Sequence, residues 1–290
     1  MNAGYDVLAQ KEAEHWSRRI PDASNPQSWD DPVLHELFFG AEERRFLAEV
    51  AAGGSHALEL GSGYGQHACE LAARGVRVVG IDLSPVRVQA ARHRAGPDGP
   101  SFRVDNFDTM RFPDGPFDTV YAHDALHHSV HLDHVIDEIH RVLRPGGRLV
   151  VSDFQGTVRA LRVLGAAMAG VLPTFMPYAR KWSLRHRVRA WVASESEKRA
   201  ALERGYGGAL HDGSPFEGIS QESIVPAIAR RLRIIERRSR LPFWWFLAPK
   251  LRLGPWRYPV ARLMRVWDDA LLASGVRGAF FTVVARRDPD

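Results

Sequence analysis

The sequence predicts an α/β protein built on a doubly wound, mostly parallel sheet. Three observations carry that expectation. Short apolar runs alternate with helix-like segments between residues 55 and 153. The first run ends in the glycine turn Gly61-Ser62-Gly63-Tyr64-Gly65. An acid, Asp82, closes the second run about 20 residues further on, where such sheets hold a ligand's ribose.

Residues 1–30 are polar and carry Trp16 and Trp29. Residues 33–52 read as an amphipathic helix with Val33, Leu34, Leu37, Phe38, Phe46, Leu47 and Val50 as its apolar positions. Gly40 interrupts it and Gly53-Gly54 ends it. His56–Leu60 is the first strand, residues 66–74 a helix stopped by Gly75, and residues 76–81 the second strand. Pro85 opens the next helix, a position where a missing N–H costs nothing. Ser101–Val104 and residues 117–122 are short strands, and residues 132–143 form a helix with Val135, Ile136, Ile139, Val142 and Leu143 on one face. A Pro145-Gly146-Gly147 turn then leads into a strand at 148–152.

Beyond residue 154 the rhythm changes. Residues 158–172 suit an apolar helix, 180–204 a basic helical segment, and 205–218 a glycine-rich loop. Ser220-Gln221-Glu222-Ser223 reads as the start of a helix over 224–232. Arg233–Arg240 and residues 279–286 resemble late strands, bringing the expected total to seven. The expected organisation is a helical cover (1–52), a cofactor-binding core (53–154), a helical and loop lid (155–219), and the end of the core (220–290) with an aromatic insertion at 241–277.

Hydrophobic residues make up 45% of the 290-residue chain and charged residues 25%, an ordinary globular balance. Cys69 is the single cysteine, so an internal disulfide, a paired-thiol redox centre and a multi-cysteine zinc site are excluded. The N-terminal residues show no apolar leader, and no apolar stretch approaches the roughly 20 residues of a spanning helix, so a cytoplasmic location is expected. The net charge of +5 is concentrated around 178–204 and in Arg230, Arg231, Arg233, Arg237, Arg238 and Arg240. Such surface attracts acidic substrates, nucleic acid or anionic membrane, although a solvated helix face is the simpler expectation.

Five motifs carry the chemistry. Leu58-Glu59-Leu60-Gly61-Ser62-Gly63-Tyr64-Gly65 places bare backbone at the carboxyl edge of the sheet. A dinucleotide fingerprint needs glycine at its sixth position; Gln66 stands there, which argues against a pyrophosphate. Gly80-Ile81-Asp82-Leu83-Ser84 ends the second strand, with Asp82 set to accept ribose hydroxyls and Ser84 to cap the next helix. Val104-Asp105-Asn106-Phe107 ends the third strand and can read an adenine amino group. Residues 117–128 run from Phe117-Asp118 through Ala122-His123-Asp124 to His127-His128. Leu143-Arg144-Pro145-Gly146-Gly147 precedes the fifth strand.

In this order and spacing the five stretches resemble the class I S-adenosylmethionine (SAM)-dependent methyltransferases, especially the small-molecule branch of quinone and natural-product enzymes. The resemblance covers about residues 55–153 and implies a Rossmann-like seven-stranded sheet with a late antiparallel strand and SAM as cofactor. It implies that Glu59 underlies the methionine part, that the backbone of Gly61, Ser62, Gly63 and Gly65 faces it, and that Asp82 and Leu83 meet the ribose. Asp105, Asn106 and Phe107 would face the adenine, and the Ala122–His123 backbone the methionine amino group. His128 matches a histidine common in the branch, and Tyr5 or Trp16 would cover the site.

Methyl transfer needs an aligned acceptor lone pair and, for a hydroxyl or carbon acid, a base. His127 and His128 are the expected candidates. Ligand-like spacings among Asp124, His127, His131, Asp133 and His134 invite a metal, but the resembled branch is typically metal-independent, so none is expected. The aromatic run Phe243-Trp244-Trp245-Phe246 suits core packing or an apolar pocket wall better than a peripheral membrane contact.

The expected activity is methylation, at O, N or C, of a small acceptor that is apolar or acidic. Alternatives are a non-methylating cyclisation or rearrangement, or a non-catalytic SAM-binding scaffold. A nucleic-acid acceptor is disfavoured because His123-Asp124-Ala125-Leu126 stands where an Asn-Pro-Pro-Tyr-type motif would act on base amino groups.

Overall fold

The computed structural model describes residues 3–18, 27–178, 195–203 and 214–289. Most of the basic segment and of the glycine-rich loop lies outside these residues.

Seven strands form one sheet in the order β3-β2-β1-β4-β5-β7-β6. They are β1 (His56–Leu60), β2 (Arg77–Asp82), β3 (Ser101–Val104), β4 (Phe117–His123), β5 (Leu143–Phe154), β6 (Arg233–Arg240) and β7 (Phe280–Arg286). The first five pair in parallel, and β7 runs antiparallel to both β5 and β6. The expected fold class is therefore the observed one. Chain reversal between β1 and β4 opens a crevice at the carboxyl edge, the usual ligand position in such sheets.

The central strands read as continuous apolar runs because both faces are covered. On one face, α3 (Ala41–Ala51), α4 (Gln66–Ala72) and α5 (Pro85–Ala95) bury Phe46, Leu47, Leu71 and Val88 against Val78, Tyr121 and Val150. On the other, α6 (Leu132–Val142) and the Ile224–Arg231 helix bury Val135, Ile139 and Ile228 against Leu58, Val120 and Leu149. Complete burial of a large aliphatic side chain is worth about 1.5–3 kcal/mol, so these two layers hold the edge that carries the site.

Three local expectations are refined. The helix expected over 33–52 is Pro32–His35, a π-turn at Glu36–Gly40, and α3. Gly40 closes the π-turn, and the Glu36 carboxylate lies over it. Pro145-Gly146-Gly147 is an irregularity inside β5, since the pairing steps from Phe117↔Leu143 to Thr119↔Arg148. The Ile224–Arg231 helix lacks a side-chain cap from Ser223. Instead the Glu195 carboxylate accepts from the backbone N–H groups of Glu222 and Ser223 at 2.7 and 3.1 Å. A distant acid thus does the work expected of a local capping box.

Much of the basic run is spent on partners. Arg230 and Arg231 pair with Asp133 and Asp137 on α6, and Arg238 pairs with Glu42. Phe243 and Phe246 are buried beside Leu161, Met168 and Leu172 of the region around α7 (Arg159–Val171). Asp268 anchors them by accepting from the N–H groups of Phe243 and Trp244 at 3.0 and 3.1 Å. Among the described residues, no helix is long and apolar enough to cross a membrane.

Candidate active site

A cavity of about 1480 Å³ opens at the carboxyl edge of the sheet. The glycine turn and the His127–His128 pair line the same space.

The cofactor side is built mainly from consecutive turns. Gly61 and Ser62 donate backbone N–H bonds to the Ile81 carbonyl at 2.9 Å, locking the turn onto β2. Gly61 adopts φ +73°, and a Cβ there would lie 2.6 Å from Ala125, so the turn needs glycine on both counts. Asp82 is buried; its two oxygens accept from Gly63 N and Ser84 N, each at 2.8 Å. A carboxylate held this way still has lone pairs for ribose hydroxyls.

Glu59 is fully enclosed at the end of β1, and burial pushes its carboxyl up to about 8 despite His67 nearby. Its Oε1 lies 3.8 Å from His67 Nδ1. Burial pulls His67 down, but Glu43 and Glu59 outweigh it and hold the imidazole above its ordinary value. Glu59 Oε2 and Ser62 Oγ are buried without a hydrogen-bond partner among the described residues. Orphaned polar atoms in a cavity wall are costly unless a ligand satisfies them. With the bare turn and the Asp82 carboxylate, they fit the amino-acid and ribose parts of SAM.

Glu59, Gly61, Ser62, Gly63, Asp82, Leu83, Asn106, Phe107 and His123 all line the cavity. Three expected residues do not. Gly65 caps α4 and packs so tightly that a Cβ would meet Phe102 at 2.6 Å. Asp105 turns its carboxylate to the Asn106 N–H at 2.8 Å. Ala122 is fully buried within β4. Asp108, which no sequence motif singled out, lines the cavity instead. It accepts from the Tyr5 hydroxyl at 2.8 Å and from Ser129 Oγ at 2.6 Å.

The opposite side of the cavity is assembled from four separate segments. After β4, Asp124 adopts φ +48°, an uncommon conformation for a residue with a side chain, and turns the chain into a short 3₁₀ segment at Leu126–His128. Asp153, at the end of β5, accepts from the N–H groups of Ala125 and Leu126 at 3.3 and 2.8 Å, fixing that turn. Its other oxygen lies 2.5 Å from His127 Nδ1. Burial pulls His127 down, but Asp153 outweighs it and holds the imidazole at about 9.

From α1 (Ala3–Arg18), Glu12 Oε1 lies 3.0 Å from His128 Nδ1. Burial raises the Glu12 carboxyl, but His128, Trp16 and Ser214 overcome that and leave it below its ordinary value. Ser214 Oγ donates to Glu12 at 2.9 Å, and the Phe216 N–H donates at 3.2 Å. Trp16 stands edge-on to the His128 ring at 5.4 Å, and Tyr5 lines the cavity beside it. Tyr5 and Trp16, the two aromatics expected to cover the site, both line the cavity from α1.

Glu217 completes this half, 3.8 Å from His127 Nε2 and 3.6 Å from His128 Nε2. Phe154, Trp245, Phe246 and Phe280 form an apolar wall of the cavity, while Arg162, Lys198 and Lys250 supply positive charge. Of the other residues of the expected metal grouping, Asp124 also lines the cavity, Asp133 pairs with Arg230, and His131 and His134 are exposed.

Glu12, Asp153 and Glu217 escaped the sequence reading. Only Asp153 had a visible signal, an acid at a strand's carboxyl end. Glu217 sits in a stretch legible only as glycine-rich loop, and Glu12 in a polar N-terminal segment.

Comparison with known proteins points to methyltransferases. A family described as "Methyltransferase domain" matches residues 58–151. The 27-O-demethylrifamycin SV methyltransferase of Amycolatopsis mediterranei (strain S699) is 35% identical over 158 residues, 52% of this chain and 57% of that protein. The chain spans about half the length of the curated relatives it matches. Among solved structures, geranyl diphosphate C-methyltransferase from Streptomyces coelicolor A3(2) superposes with a TM-score of 0.59 at 16% identity, covering 99% of this chain and all of that one (100%). The [4+2]-cyclase SpnF superposes with a TM-score of 0.51 at 20% identity, over 87% of this chain and 83% of that one. At such identities the superpositions speak to fold. Residues 58–151 thus carry a methyltransferase domain of the SAM-dependent kind, and the relatives it resembles include small-molecule methyltransferases.

Proposed function

We propose that this protein transfers the methyl group of SAM to a small natural-product-like acceptor, with His127 and His128 as the acceptor-activating pair. One observation carries the reading: the cofactor turn and the two imidazoles line one cavity. SAM, when bound, supplies a methyl group already activated on a sulfonium.

The chain's own residues position the reactants. Glu59 and the Gly61–Gly63 backbone receive the methionine end, Asp82 the ribose, and Asn106 and Phe107 the adenine. His127, held at about 9 and so protonated near neutral pH, donates to the acceptor's nucleophilic atom, and His128 takes its proton; Asp153 and Glu12 steady the two rings. Phe154, Trp245, Phe246 and Phe280 shape the acceptor's apolar part and exclude water. Lys198 and Lys250 suit an acidic substituent. The segments at 155–219 and 241–277 act as the lid that sets specificity.

The test is incubation of the full chain with SAM and a panel of hydroxylated aromatic and polyketide acceptors. Formation of S-adenosylhomocysteine together with a product heavier by one methyl group supports the reading. A product of unchanged mass would instead assign a cyclisation or rearrangement, a chemistry compatible with the same fold.

A further inference from the structure

We infer that His127, His128 and Glu217 bind a divalent metal ion of the zinc type beside the cofactor. This deepens the proposed function, and its role in turnover rests on that reading, although binding of the ion does not.

One ligand atom from each of the three residues falls within a 4.8 Å cluster. Glu217 approaches the two Nε2 atoms at 3.8 and 3.6 Å, too far for hydrogen bonds. Donors held about 2.0–2.2 Å from a tetrahedral zinc lie roughly 3.3 Å apart, so a small inward shift closes the site. Two histidines and one glutamate are a known catalytic zinc set, which leaves a fourth position for an oxygen. Imidazole nitrogens disfavour magnesium and calcium, which prefer oxygen donors throughout.

The surroundings make the stronger case. A metal-binding imidazole usually has its second nitrogen tied to a carboxylate or carbonyl, which fixes the ring and its tautomer. His127 has this arrangement, with Asp153 2.5 Å from its Nδ1. Glu12 stands 3.0 Å from His128 Nδ1 as a charge contact rather than a hydrogen bond. The two Nε2 atoms both face Glu217. Asp153 is itself secured by the Ala125 and Leu126 N–H groups, and Glu12 by Trp16, Ser214 and Phe216.

Charge points the same way. Three carboxylates, Glu12, Asp153 and Glu217, surround two imidazoles in a largely enclosed space, and Lys198 faces Glu217 from the lid side. A dication here adds to the compensation that Lys198 gives Glu217. The fourth position, on the cavity side, then takes an oxygen of the acceptor. On this view the histidine pair activates the acceptor through the ion rather than by taking its proton directly.

The experiment is zinc uptake by the chelator-stripped full chain, measured by equilibrium dialysis without SAM or acceptor. SAM affinity is followed separately by calorimetry. Wild type is expected to bind one zinc per chain, and cobalt(II) in its place to show the visible absorption of a four-coordinate ion. Glu217→Ala and His128→Ala should each weaken uptake at least tenfold with SAM affinity intact. Glu12→Gln, which keeps the side chain's size and removes the charge facing His128, should weaken it roughly tenfold in the folded protein. The exposed His134→Ala should leave it unchanged. No saturable uptake by wild type, or unchanged uptake in both Glu217→Ala and His128→Ala, overturns the inference. Intact metal binding without methylated product would instead leave the site standing and remove the proposed function.

Discussion

The two halves of the cavity are made in opposite ways. The cofactor half comes largely from successive strand ends: Glu59 lies near the end of β1, Gly61 and Gly63 follow it, and Asp82 closes β2. Its key contacts are backbone bonds between neighbouring turns, such as Gly61 and Ser62 to Ile81. The acceptor half brings together Glu12, His127, His128, Asp153 and Glu217 from four segments spread over about 200 residues of chain. Its contacts are side chain to side chain. Damage to the cofactor half should therefore abolish binding locally, whereas damage to the acceptor half should spare SAM and change turnover or the lid.

The largest expected effect is Asp82→Ala. It removes the ribose acceptor and leaves Gly63 N and Ser84 N without their carboxylate. Hydrogen bonds to a charged group contribute about 1.5–3 kcal/mol each, so calorimetry should show SAM affinity falling roughly a hundredfold or more. Zinc uptake should persist, since no zinc-binding residue touches Asp82. Loss of both would mean that the halves are not independent.

His127→Ala should come next, with turnover falling about a hundredfold and SAM affinity unchanged within a few fold. Full activity would remove the histidine pair from the chemistry. Glu12→Gln tests the joint between α1 and residues 214–217. Removing one charge from a buried pair costs about 3–5 kcal/mol; the Trp16 and Ser214 bonds retained by glutamine should bring the loss to the lower end, read by chemical denaturation.

Glu59 provides a pH test of the cofactor half. Burial pushes its carboxyl up to about 8, so below that pH the free protein holds it protonated. The methionine ammonium of SAM favours the ionised form, so binding should release a proton. Affinity should rise with pH and level off above about 8. Calorimetry at pH 7 in two buffers of different ionisation enthalpy measures the release, which Glu59→Gln should abolish. The same raised value means that this residue's contribution to folding stability declines as pH climbs from the ordinary carboxylate range through 8. The smallest effect belongs to Arg230→Ala. Its exposed pair with Asp133 should contribute less than about 1 kcal/mol.

The contrast also explains what could be read in advance. Strand alternation, the glycine turn, Asp82 and the Ser84 cap depend on residues close in sequence, where spacing is itself the geometry. Asp105 shows the limit even there. An acid at a strand end was visible, but whether it or Asp108 faces the cavity depends on how the 105–109 turn folds back to meet Tyr5. Glu195 capping a helix 29 residues away, between Glu195 and Ile224, is a second case in which a partner replaced a local motif.

By itself, the sequence determined the doubly wound sheet, the SAM-type turn and the histidine pair, because each is written in short-range order. Only the tertiary structure decided what those histidines face. Glu12, Asp153 and Glu217 lie far apart along the chain, and their separation in sequence carries no distance information. Packing of α1 and the 214–217 segment over the sheet edge brings their carboxylates to the two imidazoles, and with them the acceptor half of the cavity.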